Sequence, residues 1–256
     1  MRIISILNQK GGVGKTTTAC NLSACLADMG QRVLLIDMDS QANATGHLGI
    51  APGELQASMY QVLVNDVNIR SIIAPTQIAS LEVAPAHIDL SGCDTELASD
   101  LARPYKLRNA LRQVSGYDFI MIDCPPSLGI LSIMSLIAST DIIIPIEPEH
   151  FALQGMKILN RMVAKIKEEL DHNINLLGVL ITKSLSQQSL HAAMIEEIER
   201  YFGHKVFRTH IKKNITLAEA SSQGQPIVLY DRRSPGAEAY SALAKEVLAL
   251  VETGTT

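Results

Sequence analysis

The chain has 256 residues, is 47% hydrophobic and carries a formal charge of −4. That is core enough for one α/β domain spanning 1–256, and it excludes a surface that attracts polyanions everywhere. No apolar run reaches membrane-spanning length, and Met1 leads straight into a strand pattern with no secretory signature, so the expected compartment is the cytoplasm. Cys20, Cys25, Cys93 and Cys124 have neither disulfide-framework nor zinc spacing and read as small buried residues. A metal cluster would require Cys93 or Cys124 to pair with its copy in a second subunit.

Ile3, Ile4, Ile6 and Leu7 form an apolar strand that feeds Lys10-Gly11-Gly12-Val13-Gly14-Lys15-Thr16-Thr17. A strand running into a glycine-rich turn and then a helix start aims backbone N–H groups at one point, where an oligophosphate fits. The glycines admit close approach, Lys15 reaches the β- and γ-phosphates, and the Thr16 hydroxyl is placed to ligate Mg²⁺. The general phosphate-loop pattern has glycine five places before Gly14. Gln9 stands there instead, and an extra lysine, Lys10, precedes the glycines.

Thr18 to Met29 reads as a small-residue helix closed by Gly30, and Val33 to Ile36 as a parallel strand buried on both faces. That strand ends in Asp37-Met38-Asp39-Ser40-Gln41, which puts two carboxylates where parallel sheets hold their chemistry. Between Asn43 and Ala102 the pattern gives a loop over Gly46 to Gly53, a helix over Met59 to Val64, a strand over Leu81 to Ala84 and a helix over Asp89 to Leu101. A helix over Tyr105 to Val114 follows. Phe119-Ile120-Met121-Ile122 then runs into Asp123-Cys124-Pro125-Pro126, a Walker-B arrangement whose carboxylate holds Mg²⁺ together with Thr16.

Leu128 to Ile137 reads as a helix and Asp141 to Pro145 as a strand. Glu147 to Gly155 enters a long helix to about Leu170, with Lys157, Arg161 and Lys165 on one face. Leu176 to Ile181 is a further strand and Gln188 to Phe202 an amphipathic helix. Six strands alternating with helices predict a doubly wound, mostly parallel sheet flanked by helices. From Arg200 to Arg233 seven basic residues face only Glu219 and Asp231, a local footprint for a polyanion within an acidic chain. Ser241 to Val251 spaces Leu243, Ala244, Val247, Leu248 and Val251 as one helical stripe. Its polar positions, Lys245, Glu246 and Glu252, are too acidic for anionic lipid, so no stable membrane association is expected.

The form KGGVGKTT resembles the deviant Walker-A ATPases, the family of P-loop NTPases that contains ParA/Soj partition proteins, MinD and the nitrogenase iron protein. Similarity to ParA/Soj continues in the acidic, aromatic, Ala-Leu-x-Gly segment from Glu147 to Gly155, and in Ile211-Lys212-Lys213-Asn214, Leu217 to Ala220, Gly224 to Ile227, Tyr230-Asp231 and Gly236 to Tyr240. The resemblance implies ATP and Mg²⁺ as cofactors and a homodimer when ATP is bound, with Lys10 reaching the partner's phosphates. It implies that Asp39 orients the attacking water and that Asp37 joins the magnesium and water network. It puts Asn214 against the adenine, Lys212 at the nucleotide edge where proline is usual, and Lys213 and Arg233 on DNA backbone, with Pro235 in place of a frequent arginine. It further implies non-specific double-stranded DNA and a ParB-like stimulating protein as partners, and a nucleoid-associated location. MinD-like positioning of another cargo is the first alternative, and a reductase like the nitrogenase iron protein the second.

Overall fold

The computed structural model describes residues 1–149, 161, 163–168, 172–185 and 189–252. The expectations for His150 to Gly155, for Lys157 and for most of the long helix between them and Leu170 lie outside the described residues. Among the described residues eight strands form one sheet: β1 Arg2–Ile6, β2 Val33–Asp37, β3 Ala74–Pro75, β4 Leu81–Ala84, β5 Phe119–Asp123, β6 Asp141–Ile146, β7 Asn175–Ser184 and β8 Ile211–Lys212. Their order is β3-β4-β2-β5-β1-β6-β7-β8, parallel throughout except for the short β3–β4 pairing. The six expected strands are all present. The two additions are two-residue edge strands, too short to carry any period.

Continuous apolar runs form these strands because both faces are covered. Leu34, Ile36, Ile120 and Ile122 join one core, with Met59, Leu107 and Met134 from helices on that side. Their neighbours Val33, Leu35, Phe119 and Met121 join the other, with Leu22, Leu26, Leu243 and Val247. Alternation between two apolar layers is what a period of two produces in a three-layer fold. The helices of the second layer are α1 Lys15–Asp28, almost wholly buried and built of small side chains, and, crossing it, the C-terminal helix Pro235–Glu252. That C-terminal helix starts six residues earlier than the stripe from Ser241 implied, because Ser234 caps its first turn through a hydrogen bond from the Ala237 N–H.

Two other expectations are corrected. Asp89 to Leu101 is not one helix but a 3-10 turn, Ile88–Gly92, and a single α turn, Cys93–Glu96. Leu90, Cys93 and Leu97 are all buried, so the apolar spacing survives while Gly92 and the short polar side chains interrupt the helical ladder. The loop expected over Gly46 to Gly53 begins inside a short helix, α2, Asn43–His47, which Thr45 fastens to the end of β2.

Gly178 on β7 is set by packing: a Cβ there would lie 2.4 Å from the Phe207 ring, which is 2% exposed. Gly178→Ala should therefore cost about 1–3 kcal/mol of stability through overpacking. A urea midpoint equal to that of the unmodified chain would show that the ring yields freely.

Candidate nucleotide site

The loop after β1 reaches α1 through two left-handed glycines, Gly12 at φ 75° and Gly14 at φ 85°. The conformation turns the chain back over the sheet and is one that glycine adopts without steric cost. Two hydrogen bonds from neighbouring strand ends fix the loop. Asn8 Nδ2 donates to the Pro145 carbonyl at 2.7 Å, and Thr182 Oγ1 donates to the Val13 carbonyl at 2.8 Å. Neither Asn8 nor Thr182 was singled out from the sequence; the signal available for Thr182 was its place at the carboxyl end of an apolar run.

Lys15 is 6% exposed, and its ammonium donates to the Lys10 carbonyl at 3.1 Å, folded over the mouth of the loop. Burial pulls its pKa below the ordinary lysine value, opposed chiefly by the Asp123 carboxylate. Lys10 stands outside. Its side chain is half exposed and its ammonium donates to the Glu149 carboxylate, which the lysine holds below the usual range.

Strand register brings the acids together. Asp37 and Asp123 are direct neighbours across β2 and β5, and Asp123 also pairs with Ile6 of β1. Asp123 is fully buried, and neither carboxylate oxygen has a hydrogen-bond partner. The Thr16 hydroxyl approaches it closely enough to favour the anion, but burial and then the Asp37 charge push the Asp123 pKa well up. Asp37 is pushed up to about 6, mainly by burial. Its Oδ2 accepts from the Thr45 N–H at 2.9 Å and the Thr45 hydroxyl at 2.7 Å, and its Oδ1 accepts from the Asp39 N–H at 3.1 Å. Asp37 thus ties the following loop to the sheet. Asp39 is nearly buried, and its Oδ1 accepts from the Gln41 N–H at 3.0 Å.

An orphaned buried carboxylate beside a threonine hydroxyl and a cradle of backbone N–H groups fits a hard divalent cation carried on an oligophosphate. Thr16 and Asp123 would hold the ion, and Gly11 to Thr17 the phosphates. Across β6 and β7 lies a cavity of about 650 Å³ lined by Gly14, Thr17, Lys212, Lys213, Asn214 and Leu217. Asn214 caps the helix Ile215–Ser222 through Oδ1, which accepts from the Thr216 N–H at 2.9 Å, and its buried Nδ2 has no partner. Of the expected site residues, Gly14, Thr17, Lys212 and Asn214 thus border one cavity, and the DNA pair is divided. Lys213 borders the cavity, whereas Arg233 lies on an exposed turn beside Arg232, which Asp28 holds at 2.7 and 2.8 Å. Lys205 and Arg208 line a separate cavity with Leu177 and Glu246, so the basic tract is divided among three settings.

A phosphate loop at the carboxyl end of β1, a buried loop lysine and a Walker-B aspartate on the adjacent strand define a P-loop ATPase. The family model AAA_31, an AAA domain, matches residues 1–176. The sporulation initiation inhibitor protein Soj of Bacillus subtilis is 47% identical over 249 residues, 97% of this chain and 98% of that protein. The chromosome partitioning protein ParA of Myxococcus xanthus is 42% identical over 248 residues, 96% of this chain and 88% of that protein. A crystal structure of cobyrinic acid a,c-diamide synthase from Mycobacterium smegmatis, with bound ATP analogue and magnesium, matches with a TM-score of 0.87 at 32% identity, covering 99% of this chain and 97% of that one. The chain belongs to the ParA/Soj family of chromosome-partitioning P-loop ATPases. The septum site-determining protein MinD from Pyrococcus horikoshii OT3, a structure complexed with Mg-ADP, also matches, with a TM-score of 0.81 at 28% identity, covering 98% of each chain.

Because the folded protein raises the Asp123 pKa, it binds this proton more tightly than the unfolded chain. Stability from this group is full below the ordinary carboxylate range and is lost as pH rises through the shifted value. Asp123→Asn should therefore stabilise the nucleotide-free protein at pH 8 by about 2 kcal/mol, the value of an unsatisfied buried charge, with the gain shrinking toward pH 5. The same variant should lose the extra stabilisation that Mg²⁺ adds to ADP. Thermal unfolding at both pH values checks this, and a variant less stable than its parent at pH 8 would refute it.

Proposed function

We propose that the chain is a dimerising switch that ATP closes and hydrolysis opens, and that it binds double-stranded DNA without reading sequence, to segregate or position chromosome or plasmid DNA. The observation that carries this reading is the placement of the two loop lysines. Lys15 fills the chain's own cradle, and Lys10 projects outward to a surface carboxylate, the posture of a cation that serves phosphates other than those its own loop holds. Kinship with partitioning ATPases supports the cargo.

In this reading Lys15 and the N–H groups of Gly11 to Thr17 grip the triphosphate, and Lys10 leaves Glu149 for the partner's phosphates. Thr16 and Asp123 would hold Mg²⁺, which would supply charge neutralisation for phosphoryl transfer. Asp39 orients the attacking water, Asp37 keeps the Asp39 loop against the sheet, and Lys212 and Asn214 border the base. Lys213 and Arg233 contact DNA phosphates as point charge and fork respectively. A ParB-like protein accelerates the slow hydrolysis, and the ATPase works on the nucleoid in the cytoplasm. ATP shifts the association equilibrium only because the dimer holds it better than the monomer does. No helix among the described residues is long and apolar enough to cross a membrane.

Asp39→Ala should keep ATP binding, accumulate the ATP-bound dimer and lose hydrolysis by about a hundredfold or more. Light scattering and phosphate release measure both, and a monomer with ATP still bound would remove the switch. Lys213→Glu should weaken co-sedimentation with DNA of any sequence and flatten its dependence on salt, with hydrolysis by the free protein little altered. Binding to anionic vesicles in place of DNA would instead favour a MinD-like cargo.

A further inference from the structure

The two side chains that clamp the phosphate loop grip different halves of it. Thr182 takes the Val13 carbonyl, next to Gly14 and Lys15 of the cradle, while Asn8 works at the other end, on Lys10. Asn8 is 4% exposed, and its amide makes two hydrogen bonds of opposite sense. Nδ2 donates to the Pro145 carbonyl at 2.7 Å, and Oδ1 accepts from the Lys10 N–H at 3.0 Å. One partner is an acceptor and the other a donor, so a single orientation of the amide satisfies both. An aspartate would set a second acceptor against the Pro145 carbonyl.

Strand pairing explains why an amide stands here. Leu7 N–H donates to the Ile143 carbonyl at 3.1 Å, and the next step of a parallel ladder would join the Gln9 N–H to the Pro145 carbonyl. Asn8 Nδ2 makes that bond instead. The chain after β1 is thereby freed to turn into the loop while the β6 carbonyl keeps a partner, and the other end of the same amide holds Lys10. The Lys10 peptide group is gripped on both sides, its N–H by Asn8 and its carbonyl by the Lys15 ammonium at 3.1 Å. In the function proposed above, Lys15 serves the triphosphate and the Lys10 side chain leaves Glu149, so the bond to Asn8 is the one that nucleotide does not take away. We infer that Asn8 is a positioning residue for Lys10. It fixes the backbone from which Lys10 projects toward a second subunit, and so acts on assembly of the shared site rather than on the chain's own hold on nucleotide. This rests on the proposed role of Lys10.

Two measurements on the same variants test it: calorimetric titration of Mg·ADP, and self-association by light scattering with Mg²⁺ and a non-hydrolysable ATP analogue. Asn8→Ala should keep Mg·ADP affinity within about threefold of the parent and weaken self-association by about tenfold, the worth of one hydrogen bond. Asn8→Ser keeps an acceptor for the N–H two residues on, as serine does in an ST turn, but lacks the second polar atom that meets Pro145; it should recover self-association to within about threefold of the parent. Ala and Ser both lose the bond to Pro145, so any cost to the sheet, read from unfolding midpoints, is common to them and their difference reports the hold on Lys10. Equal losses in both measurements, self-association of Asn8→Ala like the parent's, or a Ser variant no better than Ala each overturns the inference. Lys10→Ala separates the two levels: if it impairs self-association while Asn8→Ala does not, only the role of Asn8 fails. If Lys10→Ala associates like the parent, the proposed role of Lys10 fails and that of Asn8 with it.

Discussion

The constraint from which the site follows is the confinement of carboxylates at the ends of β2 and β5. Asp37 and Asp123 are locked side by side by strand register, both fully buried, with Asp39 close behind and Lys15 the one loop cation facing them. They cannot separate without sliding two central strands of a sheet packed on both faces. Like charges held in a low-dielectric interior raise each other's proton affinity, so without nucleotide the site strains against its own fold. A cation carried on a polyphosphate would remove that strain and would set positive charge where charge develops in phosphoryl transfer. A neighbouring sheet core stable enough to tolerate these buried acids is therefore part of the chemistry.

The helix that starts at the phosphate loop carries this local event outward. Along α1, the Thr18 hydroxyl meets the Tyr240 hydroxyl at 3.2 Å, Asn21 Oδ1 accepts from the Ile227 N–H at 2.7 Å, and Asp28 grips Arg232. Each of these reaches the segment that follows the base-side cavity. Buried polar contacts of this kind give little net stability but fix geometry, because breaking one strands a partner away from water. The start of α1 and the basic turn at Arg232 and Arg233 are thus joined by one rigid element.

Much of this was legible in the sequence because it rests on local chemistry. Unbroken apolar runs announced strands covered on both faces, and the glycine-lysine-threonine spacing announced the cradle. Where side-chain hydrogen bonds compete with the helical ladder, as from Ile88 to Glu96, apolar spacing alone misassigned the backbone while placing the buried residues correctly. Thr45, which holds Asp37, left no trace of its own, and Thr182, which holds Val13, left only its place at the end of an apolar run. A threonine reads the same whether its hydroxyl meets water or a loop eight or 169 residues away.

The division of the basic tract bears on why DNA binding would be coupled to pairing at all. Asp28 neutralises Arg232, and Lys205 and Arg208 sit by Glu246, so the positions proposed to meet phosphate in one subunit are few: Lys213 and Arg233, with Lys212 beside them. Each phosphate neutralised contributes about 0.9 to the slope of log affinity against log salt. Three contacts give a weak and salt-sensitive grip, on an acidic chain that repels DNA elsewhere. In the proposed dimer, two subunits joined by shared nucleotide would double the contacts, and the second set would act at high effective concentration once the first had bound. A surface too sparse to hold DNA singly and sufficient when paired would let the nucleotide control DNA affinity without reshaping the residues proposed to meet it.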